Sequence, residues 1–181
     1  MVKHLLLSCL LLAAAANSHA QNSYKFSQPI VSFFSSAPLE DIEAVNKNAR
    51  AVVDFENRAF LIVIPIKSFQ FSSGLMQDHF NENYRESHKY PDCTFRGSFS
   101  GTVDLSKDGS YPVQATGDLL LHGVVQKRTL PATITVKQGQ AFLQSTFNIR
   151  LIDHKIKVPK MVFKKIAEVV QVNVQSQLVK A

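Results

Sequence analysis

Apolar and polar residues alternate with a period of two along most of the chain, the pattern of strands with one buried and one solvated face. Cys93, Phe95, Gly97, Phe99, Gly101, Val103 and Leu105 share one face, against Thr94, Arg96, Ser98, Ser100, Thr102 and Asp104. Lys107-Asp108-Gly109 supplies a turn. Ala115, Gly117, Leu119 and Leu121 then point inward, followed by Leu130, Ala132, Ile134 and Val136. Past Gln138-Gly139 the inward set is Ala141, Leu143, Ser145, Phe147, Ile149 and Leu151, and the last strand carries Val170, Val172, Val174 and Leu178. The first half is less regular. Residues 30–35 are strand-like, 39–45 are ambiguous, and 49–55 with 58–66 read as a hairpin around Glu56-Asn57. About eight short-linked strands, each with one apolar face, predict a single antiparallel barrel or sandwich.

Two segments depart from the alternation. Residues 73–84 have helical spacing, with Leu75, Met76, His79, Phe80 and Asn83 on one face and Ser72 or Ser73 available as the N-cap. Residues 159–166 are expected to form a shorter helical turn with Pro159 near its start. A strand-rich domain with one amphipathic helix suggests a barrel with a lid at one mouth.

The first twenty residues read differently. Lys3 and His4 precede an apolar run from residue 5 to 16, and Ser18-His19-Ala20 offers small residues for cleavage after Ala20. This is the pattern of a secretory signal peptide, which predicts an exported, periplasmic or secreted protein with residues 21–181 as one domain. Too little apolar sequence precedes Cys9 for a lipid-attachment reading. After cleavage Cys93 is the sole cysteine, so no intramolecular disulfide is expected. The net charge of +6 reads as ordinary solubility, or, for an exported chain, as favouring acidic lipid head groups over nucleic acid as a partner.

Candidate chemistry is sparse. His79, His88, His122 and His154 lack the spacing of a zinc site, His79-x-x-Glu82 being the nearest match. No nucleophile elbow or phosphate loop is present. Neither a catalytic residue, a metal nor a cofactor is expected. The inward faces, however, mix bulky residues with Gly97, Gly101, Ala115, Gly117, Ala141 and Ser145. Two explanations stay open: the small residues leave room for an elongated apolar guest, or the glycines mark bulges and tight bends. A basic cluster of His154, Lys155, Lys157, Lys160, Lys164 and Lys165 is interleaved with Val158, Met161, Val162 and Phe163. It reads as a solvated face, or as a patch for an anionic membrane or a prenyl phosphate.

Three stretches together resemble the YceI-like proteins. Ser68-Phe69-Gln70-Phe71 leading into Leu75-Met76-Gln77-Asp78-His79-Phe80-Asn81-Glu82-Asn83-Tyr84 is similar to the family's helix segment. Glu86-Ser87-His88-Lys89-Tyr90-Pro91 followed by Thr94-Phe95 and Gly97 resembles its passage into the next strand. Gly117-Asp118-Leu119-Leu120-Leu121-His122-Gly123-Val124 with Thr129-Leu130-Pro131 resembles its central hairpin. Val125-Gln126-Lys127-Arg128 is more basic than the family's hairpin tip, and the segment around Ser32-Phe33-Phe34-Ser35 and Pro38-Leu39-Glu40-Asp41 resembles one branch of it.

The resemblance implies an all-β fold, an extended eight-stranded antiparallel lipocalin-like barrel with the helix at its mouth. It implies a non-catalytic binder or carrier of a long amphiphile: a polyisoprenoid, a quinone-like lipid, a fatty acid or a fatty amide. Phe71, Leu75, Met76, Phe80, Phe95, Phe99, Leu119 and Leu121 carry over as ligand-contacting positions. Alternation adds Phe147, Ile149 and Met161. Contact with an anionic membrane surface and a homodimer are compatible with this reading. Two rivals remain at this stage: a structural envelope protein whose barrel is filled by its own side chains, and an enzyme in which His79, Glu82 and Tyr84 converge.

Overall fold

The structure is a computed structural model that describes residues 23–36, 41–72, 74, 76–77, 88–156 and 168–181. Its strands are β1 (Ser23–Ser35), β2 (Ile42–Asn46), β3 (Arg50–Asp54), β4 (Ala59–Pro65), β5 (Phe69–Phe71), β6 (Asp92–Ser100), β7 (Gly109–Leu121), β8 (Val124–Lys137), β9 (Gln140–Arg150) and β10 (Val169–Lys180). Eight of them close into an antiparallel barrel in the order β10-β9-β8-β7-β6-β4-β3-β1, sealed by β1 pairing with β10. The remaining two extend the wall: β2 pairs with the second half of β1, and β5 with β2.

Local sequence explains the hairpin turns. His122-Gly123 and Gln138-Gly139 each place two consecutive residues at positive φ (52° and 72°; 52° and 73°), the geometry of tight hairpin turns that match strand twist. A Cβ on Gly123 would lie 2.3 Å from the Tyr90 ring, so this turn requires glycine twice over. The β3–β4 turn is held by Asp54, whose Oδ1 accepts the backbone N–H of Glu56 (2.9 Å) and Asn57 (3.0 Å). These bonds, together with that from the Asn57 side chain, hold the Asp54 carboxyl below its usual range.

The strand expected through Leu105 stops earlier, at Ser100. Gly101 takes φ +117°, and Asp104 Oδ1 accepts from the backbone (2.9 Å) and hydroxyl (2.6 Å) of Ser106. The result is a longer loop in which Val103 and Leu105 still pack on the core.

The inward alternation holds on the described strands: Val31, Phe60, Cys93, Phe95, Phe99, Val113, Leu119, Leu130, Ile134, Val136, Ile149, Val170, Val172, Val174 and Leu178 are buried together. Of the two explanations for small inward residues, tight bending applies at Gly97 and Gly117. They face each other across β6 and β7. A Cβ on Gly97 would lie 2.1 Å from the Thr116 carbonyl oxygen, and one on Gly117 2.1 Å from that of Arg96. The backbones have closed into the space a side chain would take.

The two ends of the barrel differ. At the far end Tyr24 meets Phe55 edge-on at 5.3 Å, and Phe55 meets Phe99 at 5.6 Å, an aromatic plug. The other end, the mouth, carries the β7–β8 turn, the end of β9, the start of β10 and β5. Of the helix expected over 73–84, Gly74, Met76 and Gln77 are described and helical. Gln77 caps β5, its Oε1 accepting from the Phe71 N–H (3.1 Å) and its Nε2 donating to the Phe69 carbonyl (3.3 Å). The turn expected over 159–166 lies outside the described residues, as do His79, Glu82 and Tyr84.

Cys93 is buried and free, and desolvation, helped by the Asp92 carboxylate, pushes its thiol up to about 12. Thiolate is the reactive form. The folded protein is therefore expected to leave Cys93 unmodified by maleimide at neutral pH, with labelling appearing only on unfolding in urea, as read by intact mass.

Candidate functional site: the barrel interior and its polar mouth

Inward-facing residues fall into two groups. Phe95, Leu119 and Ile149 are buried, with Phe95 directly opposite Leu119 on the neighbouring strand. Ile62, Ile64, Ala115, Leu121, Ala132, Leu143 and Phe147 share the inward register but are only half-buried. These apolar groups pack against the buried core yet are not fully covered by their neighbours. At the mouth, Phe33 meets Phe69 at a tilt (5.2 Å) and Phe71 edge-on (5.9 Å).

The candidate positions are thereby sorted. Phe71 and Met76 sit at the mouth, and both are half-buried. Phe95, Leu119, Leu121, Phe147 and Ile149 belong to the inner wall. Phe99 is separated from them by its place in the far-end plug. Leu75, Phe80 and Met161 lie outside the described residues. The structure adds Phe33, Phe60, Ile62, Ile64 and Phe69 to the interior, with Phe60 packed on Phe95 at 4.8 Å. In β4 the alternation of Phe60, Ile62 and Ile64 is a usable signal, obscured because Leu61 and Val63 are apolar too.

One polar cluster interrupts this wall at the mouth. His122 stacks on Tyr90 (4.9 Å), and its Nδ1 lies 3.1 Å from the His154 carbonyl oxygen. A carbonyl only accepts, so this bond places the proton on Nδ1; His122 ties the β7–β8 turn to the 3-10 turn Leu151–His154. His154 is fully buried, and neither ring nitrogen has a hydrogen-bond partner. Burial holds its imidazole below the ordinary 6.5; the Arg128 charge adds to this, while the backbone at Val124 and Leu121 and the Asp153 carboxylate oppose it. The unfolded chain then takes up this proton first as pH falls. Stability is therefore highest above pH 6.5 on this account and falls progressively below it, towards the lower folded-state value. His154→Leu is expected to flatten that acid dependence in urea-unfolding midpoints measured on either side of pH 6.5, and to leave neutral-pH stability unchanged or higher, since it removes two unsatisfied polar atoms.

Among the described residues no group of three or more His, Cys, Asp or Glu is placed to hold a metal ion. Half-buried apolar side chains in the inward register, with a polar cluster at one end, fit the arrangement of a binding barrel. The model of the YceI-like domain matches residues 19–178. The chain belongs to the YceI-like family. Solved structures of similar fold include a polyisoprenoid binding domain from Saccharophagus degradans, 14% identical with a TM-score of 0.72 over 88% of this chain and 99% of that one. BcnA of Burkholderia cenocepacia is 17% identical with a TM-score of 0.69, covering 83% and 96%. The Campylobacter jejuni YCEI protein is 20% identical with a TM-score of 0.58, covering 75% and 84%. None of the curated proteins matches the chain. At these identities the solved structures and this chain share the YceI-like barrel.

Proposed function

We propose that this YceI-like protein is a non-catalytic carrier that holds one long-chain amphiphile, of polyisoprenoid or fatty type, along the barrel interior in the cell envelope. The observation that carries the reading is the half-burial of inward apolar side chains, above all Leu121 and Phe147. Each methylene moved from water onto such a wall contributes about 0.8 kcal/mol. About a dozen would offset the cost of ordering the ligand. A barrel filled by its own side chains accounts for the Tyr24–Phe55–Phe99 plug but leaves the accessible inner wall unexplained.

Loading from a bilayer is favoured by the outer rim of the mouth. Val125 (58% exposed), Ile152 (56%), Val169 (42%) and Phe34 (38%) stand on β8, the 3-10 turn, β10 and β1, beside the basic side chains of Lys127, Arg150 and Lys155. Exposed aliphatic groups flanked by cations suit an anionic membrane surface. The amino-terminal leader pattern is consistent with export. Native mass spectrometry of the protein purified from its own envelope is expected to show an added lipid mass, identified after solvent extraction. A clean protein mass, with no uptake of added prenols or fatty amides, would overturn the proposal.

A further inference from the structure

The junction between β8 and β9 is only half built. β7 and β8 are paired along their whole length, from Gly109↔Val136 to Leu121↔Val124, and β9 and β10 from Val169↔Arg150 to Leu178↔Ala141. β8 and β9 are paired only at the far end, from Thr133↔Gln144 to Lys137↔Gln140. Pro131 explains the stop. Its carbonyl accepts from Ser145 Oγ at 2.6 Å, so its main chain faces β9. In a strand the N–H and C=O of one residue point the same way, and the N–H that proline lacks is therefore missing from this junction.

From Pro131 to the mouth, side chains bridge the strands in place of the ladder. Besides the Ser145 bond, Arg128 Nη2 donates to the Asn148 carbonyl (2.9 Å) and Gln126 Nε2 to the Asp153 carbonyl (3.0 Å). Ladder bonds between adjacent strands open together with the main chain. These three clasps open by side-chain rotation, on the faster timescale of rotamer exchange. The inner register along this stretch carries the buried Leu130 with Arg128 and Gln126 on β8, and Ser145 with the half-buried Phe147 on β9. A surface cleft of about 260 Å³ lies at the head of the junction, lined by Pro131, Ala132, Thr133, Gln144, Ser145 and Thr146. The opposite end of the junction meets the rim of Val125 and Ile152.

We propose that this clasped β8–β9 junction is a lateral portal through which the alkyl chain of the amphiphile slides between membrane and barrel. The portal rests on the carrier reading. It gives a chain with a polar head a path that never drags the head through the apolar interior, a transfer that is costly for unpaired polar groups.

The test staples the junction. In a Cys9→Ala background, Thr129→Cys and Asn148→Cys on the outer face are joined by a short bis-alkylating reagent, Cys93 being buried. Stapling is verified by mass, and uptake of a pyrene-labelled fatty acid is followed by fluorescence. The stapled protein is expected to load at least ten-fold more slowly than the same protein before stapling, with the same final occupancy. Arg128→Ala combined with Ser145→Ala is expected to load several-fold faster. Equal loading rates before and after stapling, or an unchanged rate in the double variant, would overturn the portal and leave the carrier intact. No uptake by any form would remove the carrier reading and the portal with it.

Discussion

Gly117→Ala is expected to lower the unfolding free energy by about 3 kcal/mol or more, a loss otherwise reserved for core cavities and buried charges. The added Cβ would sit 2.1 Å from the Arg96 carbonyl oxygen, 2.7 Å from its carbon and 2.9 Å from Gly97 Cα. All three atoms are main chain, so no side-chain rotation relieves the contact. β6 would have to withdraw, and with it the pairing from Thr94↔Leu120 to Ser100↔Gln114 and the burial of Phe95 against Leu119. Gly139→Ala is the informative control. Its φ of +73° disfavours alanine by about 1 kcal/mol, but nothing lies within 4 Å of the new Cβ. Urea unfolding of the two variants should separate them clearly. Equal losses would show that backbone conformation, and not the close approach of β6 and β7, is what glycine supplies at Gly117.

That close approach also marks the limit of what alternation can say. A glycine in the inward register is compatible with a gap or with a bend, and the pattern contains no term for how far the neighbouring strand curls. Where bulky residues alternate cleanly, from Cys93 to Phe99 and along β7 to β10, the inward face was legible from the side chains alone. Ser176 looks like a flaw in the last strand's apolar face, yet it is buried and its hydroxyl donates to the Ser27 carbonyl (3.0 Å). Ser27 stands where the β1–β10 register slips by one residue before Ile30, with Gln28 at φ +51°. This bulge turns the face over, so that Phe26 packs on the core before it, and Val31 and Phe33 after it. A strict period of two cannot cross such a point, which is why β1 shows only a short strand-like stretch in the sequence and Phe33 does not stand out as an inward position. The β8–β9 seam was hidden for another reason. β9 alternates well and β8 does so from Leu130 onward, but towards the mouth Gln126 and Arg128 take the inward register of β8 and Val125 the outward one, and Pro131 removes a bond between the strands. The buried His154 was legible only as part of a basic run. Its isolation from partners follows from the tertiary meeting of the β7–β8 turn with the end of β9.

Phe147→Asp is expected to abolish lipid retention while leaving the barrel folded. The position is turned inward on β9 but remains half-buried, so a carboxylate there keeps some contact with water and the fold tolerates it. A long alkyl chain does not. Seating it would strip that water, and burying a carboxylate without a hydrogen-bond partner costs several kcal/mol. Loss of the phenyl surface removes about 2–3 kcal/mol of apolar contact as well. Together these predict affinity at least a hundred-fold weaker, and purified protein free of the lipid mass carried by the parent chain. Phe99→Asp makes the complementary case. Phe99 is 8% exposed and in edge contact with Phe55 in the far-end plug, so the same charge there is expected to unfold the barrel rather than empty it, visible as loss of the cooperative urea transition. If Phe147→Asp copurified with the same lipid at the same occupancy, with an unchanged circular dichroism spectrum, β9 would not line the ligand's path. The half-buried wall would then need another occupant.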